Sequence, residues 1–200
     1  MRSLCANWWS KGLLCADAAT AAVSLMYRTL KKQDGTLVFL ANDGKTILPM
    51  EIEVLSIDEI NRTGKWSQFL GDLPSYIKTS RIISVNKESK VFNAFFLDGL
   101  RFRPLLDLPC STLNNLALRH VLHDRFNAPT YTSSERIQFI EINDPIASMI
   151  DVEADTLGVS LRVCGFSFRD EPITYQEFLI PPNSREIGIG LNRNRNRNFD

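Results

Sequence analysis

Two stretches of this chain echo each other, and the echo limits the architectures open to it. Arg81-Ile-Ile-Ser-Val-Asn-Lys-Glu-Ser-Lys-Val-Phe-Asn-Ala-Phe-Phe-Leu97 and Arg162-Val-Cys-Gly-Phe-Ser-Phe-Arg-Asp-Glu-Pro-Ile-Thr-Tyr-Gln-Glu-Phe-Leu-Ile-Pro-Pro182 each open on an arginine. Each then turns at a charged tip, Lys87-Glu88 or Asp170-Glu171, and runs on into an apolar strand. Two β-hairpins are predicted, one from Tyr76–Val85 and Lys90–Leu97, the other from Gly158–Phe168 and Ile173–Ile180. Pro181-Pro182 closes the second, since proline has no N–H to give to a ladder.

Each hairpin follows a strand and a helix. Met50–Ile57 alternates Met50, Ile52 and Val54 with Glu51 and Glu53, the pattern of a half-buried strand. A helix is expected over Asp58–Gly71, with Asp58 as N-cap and Gly71 where a C-cap belongs. In the second half Tyr131–Ile142 is the strand, and Asp144-Pro145 opens the helix, proline being favoured at the first helical position. Asp98–Pro109 is loop-like, and a linking helix over Leu113–Arg125 ends at Asn127-Ala-Pro129. Thr36–Ala41 is a further strand. Two strand-helix-hairpin units imply an α+β fold with a largely antiparallel sheet, helices packed on it and a ligand cleft where the halves meet. The domain so defined spans residues 36–188. It is preceded by a helical extension over 1–35 and followed by a low-complexity Asn/Arg tail over 189–200 that is expected to be disordered.

The 200 residues suit one such domain. With 23 basic and 23 acidic residues the formal net charge is zero, which lacks the electrostatic footprint of an autonomous nucleic-acid binder. Four scattered cysteines, Cys5, Cys15, Cys110 and Cys164, have no CxxC spacing and read as reduced thiols of a cytoplasmic protein. No apolar run approaches the ~20 residues of a membrane span. The chain has no phosphate loop, dinucleotide fingerprint, nucleophile elbow or HExxH motif, so no cofactor is expected. His120 and His123 share a helix face, but no cysteine or carboxylate pattern completes a metal site, and Asp124, adjacent in sequence, is expected to point elsewhere.

The candidate binding residues are polar side chains at strand positions. Arg81 lies beside an apolar run and needs an anionic partner from the protein or from a ligand. Arg162 holds the matching place in the second half, and either arginine has a structural alternative. Tyr175 and Glu177, two apart, face one side of their strand, with Thr174, Gln176 and Phe178 on the other. If the Tyr175/Glu177 side is inward, Glu177 is a buried carboxylate that Arg81 would pair with in the empty state. If it is outward, both are solvated. Asn93 occupies nearly the place in the first half that Gln176 or Glu177 has in the second. Tyr131, Ser133 and Glu135 share a strand face whose hydroxyls suit phosphate. Arg101 and Arg103 lie in the loop that would cover a cleft opening.

These features resemble the UTRA domain, the effector-binding module of GntR/HutC-type bacterial transcription regulators. The resemblance rests on the helix before Asn127-Ala-Pro, the strand Arg136–Ile142, Ala147…Ile150-Asp-Val-Glu and the hairpin Leu161–Phe168. It continues through the tip Arg169-Asp-Glu-Pro and the strand Ile173–Ile180. In the first half it rests on Gln68-Phe-Leu-Gly71, Ser80-Arg-Ile-Ile83 and Asn86–Leu97. It implies a chorismate lyase-like fold and a small anionic effector such as a sugar phosphate or organic acid. It also implies a homodimer, no catalysis, and DNA binding only through a winged helix that residues 1–35 do not supply. Arg81 would grip the anion, with Asn93, Tyr131, Ser133, Tyr175 and Glu177 as further ligand contacts. The final hairpin is similar to that of chorismate lyase itself, which releases pyruvate from chorismate. On that alternative Glu177 and Arg81 would be catalytic, although Asn93-Ala-Phe stands where a second arginine is expected.

Overall fold

The computed structural model describes residues 37–189. The extension over 1–35, the tail beyond Ile189, and Cys5 and Cys15 lie outside the described residues. In chain order the strands are β1 (Leu37–Leu40), β2 (Met50–Ile60), β3 (Tyr76–Val85), β4 (Ser89–Asp98), β5 (Thr132–Ile142), β6 (Thr156–Phe166), β7 (Pro172–Ile180) and β8 (Glu186–Ile189). The helices are α1 (Lys65–Leu70), α2 (Leu118–Phe126) and α3 (Asp144–Met149).

Six strands form one antiparallel sheet in the order β2-β3-β4-β7-β6-β5, and β1 pairs with β8 as a separate ribbon. The order shows how the two units assemble. Each contributes three neighbouring strands, and the return strands of the two hairpins, β4 and β7, pair at the centre from Phe92↔Leu179 to Phe96↔Tyr175. The first hairpin turns on Asn86 and Lys87, both at positive φ (49° and 59°), so that the turn twists with its strands. The α+β, largely antiparallel reading of the sequence is the observed architecture.

Both sides of the central strands are covered. On one side, called here the core side, α2 and the 3-10 turns Arg103–Asp107 and Cys110–Leu113 cover Val54, Ile77, Phe95 and Leu97. The β1/β8 ribbon covers Ile83, Val91, Leu161 and Phe178 on that same side through Leu37 and Phe39. On the other side α1 and α3 cover only part of the sheet: Trp66 stacks on Phe96 (4.2 Å between centroids, 6° between planes), and Ala147 and Ile150 pack with Ile82, Phe92 and Leu179. Such an aromatic pair adds about 1 kcal/mol beyond its area. The uncovered remainder of this side, over β5 and β6, is where a pocket opens.

Two expected helices are shorter than their sequence patterns suggest. The first begins at Lys65, not Asp58, because Asp58, Glu59 and Ile60 stay in β2 opposite Lys78, Ile77 and Tyr76. The Asp58 carboxylate accepts a hydrogen bond from Ser56 Oγ at 2.7 Å and caps nothing. The linking helix begins at Leu118, because Asn114 and Asn115 are used by the sheet edge. Their Oδ1 atoms accept hydrogen bonds from Val54 N and Ile52 N, each at 2.9 Å, and Asn115 N donates to Ile52 O. Two side-chain amides thus mimic a strand and satisfy the outer edge of β2.

Arg81 is fully buried on the core side. Its Nε and Nη2 donate to Asn93 Oδ1 at 2.8 and 2.6 Å, its guanidinium lies 5.5 Å from the Phe95 centroid, and Asn93 Nδ2 donates to Glu177 O at 3.1 Å. Hydrogen bonds to a buried charge contribute about 2–3 kcal/mol. Asn93→Ala is therefore expected to lower the free energy of urea unfolding by about 2–3 kcal/mol. The pair Arg81→Met/Asn93→Leu should recover part of that loss, because it leaves no charge stranded.

Candidate functional site

Strand alternation decides which polar residues meet. Register aligns Arg136, Arg162 and Glu177 in one row across β5, β6 and β7, continuing into Ala94 and Ser80. The next row holds Ser134, Cys164 and Tyr175, followed by Phe96. Both rows lie on the side opposite the core. They floor a pocket of about 330 Å³ whose wall is α1, through Lys65, Gln68 and Phe69, and whose end is Phe166. Helix α1 fits closely over the sheet: Phe69 meets Phe166 edge-on at 5.2 Å and lies 6.4 Å from Tyr175. Gly71, at φ 97°, ends the helix in a conformation that L side chains rarely adopt.

The electrostatics of this pocket are one-sided. Its lining includes three cations, Lys65, Arg136 and Arg162, and no carboxylate. Arg162 Nε is buried and makes no hydrogen bond, and Tyr175 Oη is likewise buried without one of normal geometry. Tyr175 is 3% exposed, and burial, reinforced by the nearby Glu177 charge, pushes its phenol up to about 12. It therefore stays an O–H donor at neutral pH. Two buried, unsatisfied donors in adjacent rows are costly in an empty pocket and favour an acceptor placed between them. Glu177 lies beside this arrangement, outside the lining, and its Oε1 accepts a hydrogen bond from Ser160 Oγ at 2.8 Å. Burial also raises the Cys164 thiol, which remains protonated.

The candidates chosen from sequence fall into three separate places. Tyr175 lines the pocket and Glu177 borders it. Arg81 and Asn93 lie across the sheet, bonded to each other in the core. The expected Arg81–Glu177 pair is not formed: Asn93 stands opposite Phe178 and Glu177 opposite Ala94, so Arg81 and Glu177 project to opposite sides. The lyase alternative names the same two residues, which the sheet sets on opposite sides. Tyr131 and Ser133 sit near the start of β5, Tyr131 exposed and Ser133 Oγ donating to Glu135. Since Ser133 is opposite Gly165 while Ser134 is opposite Cys164, Ser133 has the wrong parity for the pocket and Ser134 the right one. Arg101 and Arg103 form surface ion pairs with Glu171 and Glu59. Asp124 turns toward His123 (Oδ1 to Nδ1 2.8 Å), contrary to the expectation that it points away.

Sequence reasoning missed Lys65, Gln68, Phe69, Ser134, Arg136 and Phe166 as pocket residues. Ser134-Glu-Arg136 alternates with the row that was chosen, so a one-residue change of face would have found the floor of the site. Arg162 is the sequence counterpart of Arg81. The two echo in sequence, yet Arg162 faces the pocket and Arg81 the core.

No protein-family model and no curated protein matches the sequence. Solved structures do. The ligand-binding domain assigned to a GntR-family transcriptional regulator of Bordetella bronchiseptica superposes with a TM-score of 0.65 at 17% identity, over 78% of this chain and 97% of that one. The effector domain of PhnF from Mycobacterium smegmatis matches with a TM-score of 0.57 at 14% identity, over 67% of this chain and 82% of that one. The C-terminal domain of the histidine utilization repressor of Pseudomonas syringae pv. tomato matches with a TM-score of 0.54 at 11% identity, over 66% and 92%. The chain has the fold of these regulator domains, the fold that the UTRA resemblance implies.

The phenol offers a direct check of the site's geometry. Because the folded state holds Tyr175 up to about 12 against an ordinary value of 10.0, its stabilising contribution is complete below pH 10 and is lost as pH rises toward 12. Tyr175→Phe should therefore lose less stability than the wild type over that alkaline interval, measured by urea unfolding at each pH. The tyrosinate absorbance titration of the folded protein should lack one late-ionising group in the variant.

Proposed function

We propose that this chain is the effector-binding domain of a GntR/HutC-type transcriptional regulator, and that its effector is a small anionic metabolite. The observation that carries the reading is the pair of buried, unsatisfied donors, Arg162 Nε and Tyr175 Oη, in a pocket whose lining has three cations and no carboxylate. An oxyanion between the two donors would satisfy both, while Arg136 and Lys65, more exposed at the mouth, would attract it and complete its neutralisation.

The effector's charge would be held mainly by β6 and β7, with α1 as the wall it closes against. Glu177 stands directly opposite Arg162 in the register and is held by Ser160 at the border of the pocket. Arg81 and Asn93 contribute to the pocket only by keeping β3, β4 and β7 in register. The reading brings with it a homodimeric, cytoplasmic regulator whose DNA contacts are made by a winged-helix domain outside residues 36–188. No helix among the described residues is long and apolar enough to cross a membrane.

A thermal-shift screen of inorganic phosphate, phosphate esters and mono- and dicarboxylates tests the reading, since a ligand that binds only the folded state raises the melting temperature by mass action. At least one anion should give a concentration-dependent rise. Arg162→Ala should weaken that anion by about 10- to 100-fold, the loss of a charge-assisted bond, and Arg136→Ala by less. A panel without any responder, or responders indifferent to Arg162→Ala, would count against the pocket as the effector site.

A further inference from the structure

The lining residues also discriminate between kinds of anion. A sugar phosphate brings several hydroxyls, and each one buried needs an acceptor as well as a donor. The pocket is rich in donors and poor in acceptors. Lys65, Arg136 and Arg162 can only donate, and Tyr175 retains its proton. The Gln68 amide oxygen, the Ser134 hydroxyl and the Tyr175 phenol oxygen are the oxygen acceptors that side chains of the lining supply, against three cations and the phenol O–H as donors. The nearby carboxylate, Glu177, lies outside the lining and already accepts from Ser160. At about 330 Å³ the space exceeds what a bare oxyanion fills, so a body must accompany the charge. What that body would touch is aromatic. Phe69, Phe166 and Tyr175 form a continuous wall, with Phe69 edge-on to Phe166 at 5.2 Å and tilted to Tyr175 at 6.4 Å.

On the reading that this pocket is the effector site, we infer that the effector is a flat, apolar-bodied acid, an aryl carboxylate or aryl phosphonate in chemical class and not a polyol phosphate. Its oxyanion sits between Arg162 and Tyr175 beside Arg136, and its ring lies against Phe69 and Phe166. Rings favour offset or edge-to-face contact with such a wall, and the ring needs no hydrogen-bond acceptor from it. Discrimination against a polyol follows from hydroxyls that would be buried unpaired, each costing the desolvation of a polar group.

Three probes separate this inference from the reading it rests on: methylphosphonate, phenylphosphonate and glucose 6-phosphate, titrated against the full chain by calorimetry or by ligand-observed NMR. Phenylphosphonate should bind at least about tenfold more tightly than methylphosphonate, the effect of burying one ring face, and more tightly than glucose 6-phosphate. Phe69→Ala should bring the phenyl-to-methyl ratio close to one while methylphosphonate affinity is retained, which also shows that the variant pocket is intact. If that variant does not fold, Phe166→Leu should reduce the same ratio. Glucose 6-phosphate binding more tightly than phenylphosphonate, or a ratio unmoved by these variants, overturns the aryl inference and leaves the anion reading standing. A protein that binds none of the three, and neither benzoate nor acetate when these carboxylates are titrated in the same way, overturns both.

Discussion

Everything distinctive about this molecule follows from burying both sides of β7. The strand lies at the centre of the sheet, between β4 and β6, and its period of two residues sends Gln176 and Phe178 into the core while Tyr175 and Glu177 go to the opposite side. In a sheet with one solvated face, the second set would be solvated and unremarkable. Here α1 packs over part of that side, so the phenol oxygen and a nitrogen of its neighbouring arginine are taken out of water. Arg162 Nε and Tyr175 Oη remain buried without a hydrogen bond, a cost that an acceptor placed between them would remove.

The two halves of the chain are alike in plan and different in chemistry. Both supply strand, helix and hairpin, and both carry an arginine on the first strand of the hairpin. Their sequence echo is out of step by side-chain parity, which assigns the two arginines to different tasks. Arg81 is fixed by Asn93 and Phe95 and holds the middle of the sheet together. Arg162 is left with a buried nitrogen facing the pocket.

This division explains what could be read from the sequence. The hairpins, the first strand of each half and the helix at Asp144-Pro145 were legible, because alternation, turn residues and proline placement are local signals. The helix boundaries were less so: Asp58 looks like an N-cap until β3 is known to pair with it, and the run through Asn114-Asn115 looks helical until β2 takes their side chains. The site was half legible. Tyr175, which lines the pocket, and Glu177, which borders it, stand out as a polar pair in an apolar strand. Lys65, Phe69 and Arg136 come from other segments and carry no local mark of their role. In β5 both sides are partly polar, so alternation there does not tell whether Ser133 or Ser134 faces the pocket, and the even-numbered row is the one that lines it.

The claim on which the account turns is that the sheet sorts Arg162 to the ligand and Arg81 to the core. Side-chain 15N–1H spectra of the arginine Nε–H groups, assigned with single Arg→Lys variants and followed during titration with phenylphosphonate, test it directly. The Arg162 resonance should move with saturable dependence on ligand, the Arg136 resonance should move with it, and the Arg81 resonance should stay in place. An Arg81 resonance that moves while that of Arg162 is unaffected would contradict it.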